Sequence, residues 1–135
     1  MKYMLDTNIC IYIMKRQPEQ VARRFAQCRK GDVVISTITL AELEYGVCCS
    51  GEETRSQNRS ALDALIKVIP PISFDQSAAQ VYAFVRAAAP NRRRDALDKL
   101  IASHASSLSL TLVTNNLDDF RVFPDLALEN WTEGE

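Results

Sequence analysis

Short apolar runs alternate along this chain with longer stretches in which apolar residues return every three or four positions. Tyr3-Met4-Leu5 is the first run, and it stops at Asp6-Thr7-Asn8, side chains that suit the start of a helix. Ile9, Ile11, Ile13 and Met14 then predict a short helix, and Pro18 opens a second one carrying Val21, Ala22, Phe25 and Cys28. Gly31-Asp32 ends it, and Val33-Val34-Ile35 reads as a buried strand. Ser36 or Thr37 can cap the next helix, striped by Ile38, Leu40, Ala41, Leu43 and Val47. After a break at Ser50-Gly51-Glu52-Glu53, Ala61, Leu62, Leu65 and Ile66 mark a further helix. Val68-Ile69-Pro70-Pro71-Ile72 is extended, and its prolines keep it from the centre of a sheet.

Asp75 opens a helix with Ala78, Ala79, Tyr82 and Val85 that stops near Pro90-Asn91. A helix over about 95–107 follows, then a strand at Leu110-Thr111-Leu112-Val113. The stretch from Val122 to Leu128 supplies a last short strand. Strands separated by helices predict an α/β fold, a mostly parallel sheet of about four to five strands flanked by helices. No repeat, low-complexity segment or linker interrupts the 135 residues, so one domain over 1–135 is expected.

Composition narrows the function classes. With 47% apolar and 24% charged residues the chain has the balance of a folded domain, not a disordered one. Its formal net charge of −1 argues against a duplex-coating protein, although the bases cluster, most densely at Arg92-Arg93-Arg94. No apolar segment is long enough to span a membrane, and the first residues lack the apolar stretch of a secretory signal. Cys10, Cys28, Cys48 and Cys49 form no zinc-type array, so reduced thiols in a cytoplasm are expected.

Acids fall where open parallel sheets gather functional groups, just past the carboxyl ends of strands. Asp6 follows the first strand, Glu42 stands one turn into the helix after the second, and Asn115-Asn116 through Asp119 follow Leu112-Val113. Asp98 lies early in its helix and can project toward the same edge. Carboxylates crowded together raise one another's pKa, and a divalent cation removes the conflict. An oxygen-only set suits Mg²⁺ or Mn²⁺, which can activate water and neutralise charge on a phosphoryl oxygen. Each acid also has a plainer use: Asp6 and Asp75 as caps, Glu42 or Glu44 as solvated helix residues, Asp95 as the cap that leaves Asp98 free for function, and Asp118 and Asp119 as the start of a helical turn. His104 suits core packing or a structural hydrogen bond, and Trp131 a lid on the core.

Four ordered segments carry a resemblance: Met4-Leu5-Asp6-Thr7-Asn8, the run from Ser36 to Gly46, the run from Asp98 to Ala105, and the run from Leu112 to Phe120. With the closing Leu128-Glu129-Asn130-Trp131, they resemble the PIN-domain ribonucleases, specifically the VapC toxins of bacterial toxin–antitoxin pairs, over essentially the whole chain. The resemblance implies a PIN-like fold and makes Asp6, Glu42 and Asp98 the catalytic acids. Asp6 would be the principal metal ligand, Asp98 the second, and Glu42 would hold or polarise a water. Thr7 and Thr114 would steady the carboxylates. Many relatives carry an acid at the position of Asn116 and others at that of Asp119; Asp119 is taken as the fourth acid, with Asn116 a neutral partner. The family's Gly- and Pro-containing turn is replaced here by Pro90-Asn91-Arg92-Arg93-Arg94, which leaves the approach to Asp98, and its choice over Asp95, open. Those arginines suit phosphate contact, a solvated turn, or pairing with an acidic antitoxin segment.

The implied activity is Mg²⁺- or Mn²⁺-dependent endoribonucleolysis without a covalent enzyme intermediate, on a structured RNA such as a tRNA near its anticodon. The implied partners are a VapB-like antitoxin and a second copy of the chain, in a larger toxin–antitoxin assembly. The antitoxin would lie in an apolar groove among the N-terminal helices, with residues 9–14 and 38–47 as candidate walls. Two rivals stand beside this reading. A PIN-like nuclease for DNA or flaps would need an arch or clamp that so short a chain lacks, and an inactive binding module would have no reason to keep three acids.

Overall fold

The computed structural model describes residues 1–88 and 96–133. Its elements run β1 (Tyr3–Leu5), α1 (Thr7–Lys15), α2 (Glu19–Ala26), β2 (Val33–Ser36), α3 (Thr37–Cys48), α4 (Glu52–Val68), β3 (Pro71–Ile72), α5 (Gln76–Ala88), α6 (Ala96–Ser107), β4 (Thr111–Val113), α7 (Leu117–Phe120) and β5 (Leu128–Glu129). The strands form one sheet in the order β3-β2-β1-β4-β5, and every pair is parallel. Pro71 therefore sits in an edge strand, where its missing N–H does least harm.

Successive strand residues point to opposite faces, so a strand covered on both sides must be apolar throughout. Leu5, Val33, Ile35 and Val113 enter one core with Ile9 and Cys10 of α1, Val21 of α2, Leu43 and Val47 of α3, and Leu62 and Leu65 of α4. Met4, Val34 and Leu112 enter the other, with Val85 of α5, Ile101, Ala102 and Ala105 of α6, and Phe120 of α7. Among the described residues, α1 to α4 thus cover one face and α5 to α7 the other. No helix among the described residues is long and apolar enough to cross a membrane.

Several boundaries differ from the sequence reading. The last strand is Leu128–Glu129 alone, because Phe123 turns inward onto Phe120, ring centroids 5.9 Å apart, and Val122 faces solvent. Helix α4 begins at Glu52, inside the expected break: Gly51 is its N-cap, and Glu52 and Glu53 place negative charge at the positive end of the helix dipole. Val68 closes that helix instead of opening the extended segment, and α2 ends at Ala26, short of Cys28.

Candidate active site

From β1 the chain steps to β2 and β3 on one side, and β4 returns on the other. A crevice at such a switch point is where open parallel sheets bind ligands. Asp6 and Thr114 stand there, each one residue past its strand. The Asp6 N–H donates to the Val113 carbonyl at 3.0 Å, so Asp6 still keeps the register of β1 against β4.

Asp6 is buried and caps α1, one carboxylate oxygen accepting the Ile9 N–H at 3.0 Å. Burial raises its pKa to about 6, and the Glu42 carboxylate adds to the rise; hydrogen bonds from the Thr114 side chain and the Ile9 amide oppose it. The cap and the candidate ligand are thus the same side chain. Thr114 is fully buried, and its hydroxyl oxygen accepts the Asn116 N–H at 3.0 Å, which turns its proton toward Asp6. Glu42 lies six residues beyond Ser36, the cap of α3, and its Oε1 accepts the Thr7 hydroxyl at 2.8 Å. Thr7 thus hydrogen-bonds the Glu42 carboxylate and Thr114 that of Asp6.

Asp98 occupies the first turn of α6, half-buried. Since α6 leads into β4, its N-terminal end must lie at the carboxyl edge of the sheet, the edge that holds Asp6. Asp119 lines a polar cleft of about 460 Å³ with Asn115, Asn116, Asn130 and Arg121, and its N–H donates to the Asn116 carbonyl at 3.1 Å. Asp118 lines the same cleft, is exposed, and pairs with Arg121 at 2.6 Å. The structure thus joins Asp6 to Glu42 through their field and sets Asp98 and Asp119 at the same edge. Among the described residues, however, no three acids, thiols or imidazoles gather closely enough to hold a metal ion. Arg92, Arg93, Arg94 and Asp95 lie outside the described residues.

Sequence reasoning missed an amide brace beside the acids. Asn115 donates to the Tyr12 hydroxyl at 3.0 Å and accepts from Asn8 at 3.5 Å, tying the end of β4 to α1. The one signal for it was that Asn8 and Asn115 flank Thr7 and Thr114. The thiol of Cys10 is fully buried, and burial and the charge of Asp6 both push its pKa up, so it stays protonated packing. Cys48 and Cys49 are free and exposed at the end of α3.

Comparison with known proteins identifies the family. A family model for the PIN domain matches residues 3–126. The chain is 39% identical over 134 residues to the Ribonuclease VapC2 of Rickettsia felis, covering 97% of this chain and 98% of that protein. It is 34% identical over 134 residues to the tRNA(fMet)-specific endonuclease VapC of Shigella flexneri, covering 98% and 99%. Its fold matches the crystal structure of VapBC2 from Rickettsia felis bound to a promoter DNA fragment with a TM-score of 0.83 at 37% identity, over 97% of this chain and 99% of that one. A full-length match of this kind, with the acids at the switch point, shows that the chain belongs to the PIN-domain family, among the VapC ribonucleases.

Proposed function

We propose that this protein is the toxin of a toxin–antitoxin pair, an endoribonuclease that hydrolyses RNA phosphodiester bonds with Mg²⁺ or Mn²⁺. The observation that carries the reading is the buried Asp6 carboxyl, raised toward neutrality and facing the charge of Glu42 at the switch point. Two carboxylates in that relation fit a hard divalent cation, whose charge removes their repulsion. Asp6 would hold it together with Asp98, and Asp119 completes the edge with Asn116 beside it. When bound, the cation lowers the pKa of a water and offsets charge on the phosphoryl oxygens.

The remaining work falls to the chain. Thr114 keeps the Asp6 carboxylate turned to the crevice, and Thr7 holds Glu42 by Oε1. That leaves Oε2 of Glu42 to take the proton of the attacking water. Thr7→Val, which keeps the shape and removes the hydroxyl, is expected to lower the cleavage rate about 10- to 100-fold with little change in melting temperature. An unchanged rate would remove Thr7 from the machinery.

The activity named for the Shigella flexneri relative supports a tRNA as substrate, and a cut in or near its anticodon belongs to the same proposal. The VapBC2 complex supports a VapB-like antitoxin as partner, and a homodimer within a larger assembly belongs to the same reading. An apolar groove suited to an antitoxin segment runs between Ile13 and Met14 of α1, Phe25 of α2, and Ala61, Ala64 and Leu65 of α4. Residues 9–14 contribute to it through Ile13 and Met14, as expected of one wall; α4 supplies the facing one, and residues 38–47 do not line this groove.

The test is RNA cleavage with Mg²⁺ or Mn²⁺ by the wild type, Glu42→Gln and Asp98→Asn, with a chelator control. Metal-dependent cleavage that drops on the order of a hundredfold in both variants is expected. Cleavage that survives the chelator, or an undiminished rate in the folded Asp98→Asn protein, would overturn the reading or the role of Asp98 respectively.

A further inference from the structure

We propose that His104 is a positioning residue for the acids: through Ser36 it locks the axial position of α6, which bears Asp98, against α3, which bears Glu42. The inference rests on the metal-dependent reading above. His104 is buried in the last turn of α6, and its Nδ1 lies 2.8 Å from Ser36 Oγ, a contact between residues 68 apart in sequence. Ser36 is both the last residue of β2 and the N-cap of α3, its hydroxyl oxygen accepting the Ile38 N–H at 3.0 Å. One buried hydroxyl therefore joins the sheet edge, the start of the Glu42 helix and the Asp98 helix.

The surroundings hold the imidazole in place. The Phe74 ring meets it edge-on at 5.4 Å, and the Phe74 N–H donates to Thr37 Oγ1 at 3.1 Å, so the segment after β3 is pinned to the same corner. Burial lowers the His104 pKa, with the Asp75 carboxylate opposing, which favours the neutral ring. Among the described residues only Nδ1 has a hydrogen-bond partner; Nε2 has none. A core residue chosen for packing alone would be apolar, since leaving a buried polar atom unpaired costs about 1–3 kcal/mol. The retained imidazole instead supplies one directional bond.

That bond matters because helices slide. Moving α6 by a single residue would carry Asp98 about 1.5 Å along the axis, and a misplacement of about 1 Å in a reacting constellation can lower a rate about a hundredfold. The test measures Mn²⁺ binding through the electron paramagnetic resonance of free Mn²⁺ in wild type, His104→Asn, His104→Gln and His104→Phe, with melting temperatures taken in chelator. Asn places its amide where Nδ1 stands and should bind Mn²⁺ within about threefold of wild type; Gln, which reaches toward Nε2, and Phe, which only packs, should bind about tenfold or more weakly. Gln carries the comparison if the Phe variant does not fold. Equal Mn²⁺ affinity in all three variants, whatever their melting temperatures, would overturn the proposal and leave His104 a packing residue. No Mn²⁺ binding by wild type, or undiminished binding by Asp6→Asn, would instead overturn the metal reading and this inference with it.

Discussion

Asp6→Asn is expected to abolish RNA cleavage and, in a chelator at pH 7.5, to make the protein more stable. The two effects have one cause. Water is largely excluded from the Asp6 carboxyl, and Glu42 faces it, so its pKa rises to about 6 in the folded protein against an ordinary value of 3.8. The folded state therefore holds the proton to a higher pH than the unfolded state. The stability this confers is complete below about pH 4, is lost as pH rises through about 6, and is absent above it. Keeping the carboxylate ionised in the folded, metal-free protein at neutral pH costs on the order of 3 kcal/mol. Asparagine can still accept the Ile9 N–H as the cap of α1 while carrying no charge. Without metal, the variant should melt several degrees higher at pH 7.5, about 10 °C at most, and the gain should shrink away toward pH 4. Adding Mn²⁺ should reverse the order, because only the wild type has the ligand to gain from it. Activity should fall on the order of a hundredfold or more. A variant less stable than wild type in chelator at pH 7.5 would show that Asp6 is an ordinary solvated cap and would sink the electrostatic account of the site.

How far such a site is legible in sequence depends on the range of the interactions that build it. Asp6 and Glu42 were readable because each stands at a fixed offset from a strand end, and a cap, a strand and a helix turn are local events. Asp6 was weighed as either a cap or a ligand, and the structure makes it the cap of a buried, electrostatically strained corner. The three central strands were readable because both faces of the sheet are covered there, so each is a mostly apolar run; the edge strands Pro71–Ile72 and Leu128–Glu129 carry no such pattern. The first half of α4 was silent for the opposite reason: residues 51–58 are all exposed, and a solvated helix needs no apolar stripe. Periodicity also cannot say which surface a stripe meets. Leu43 and Val47 of α3 gave the same signal as Ile13 and Met14 of α1, yet the first pair is buried, while the second is half-buried against the same core and lines the groove. The brace of Asn115 on Tyr12 and the bond of His104 to Ser36 join residues 103 and 68 apart, and nothing local announces either.

Trp131→Ala is expected to be among the most destabilising single substitutions, although Trp131 is not one of the acids or their partners. The indole is fully buried in the core that contains Leu5, Ile9 and Val21. Tyr3 of β1 meets it edge-on at 5.3 Å, and the Arg24 guanidinium of α2 lies 5.6 Å from its ring centre. Its N–H donates to Glu129 of β5 at 3.1 Å, and Arg24 donates to the same carboxylate at 2.6 Å. The ion pair is the conspicuous contact, but it is the lesser one. Both of its side chains are about a third exposed, and a pair so open to solvent contributes about 1 kcal/mol or less, so Glu129→Gln should cost little. Removing the indole deletes a whole buried ring system and leaves a cavity, which costs about 3–5 kcal/mol. Trp131→Phe keeps much of the apolar contact and loses the N–H bond, for an intermediate loss of about 1–2 kcal/mol. Urea unfolding should show this order, with a midpoint for the Ala variant about 1–3 M below wild type. The loss should also reach function, because the same cluster seats α2, whose Phe25 lines the groove proposed for the antitoxin. An Ala variant within about 1 kcal/mol of wild type would mean that the C-terminal segment peels from the core at little cost, and that the packing of α2 does not depend on it.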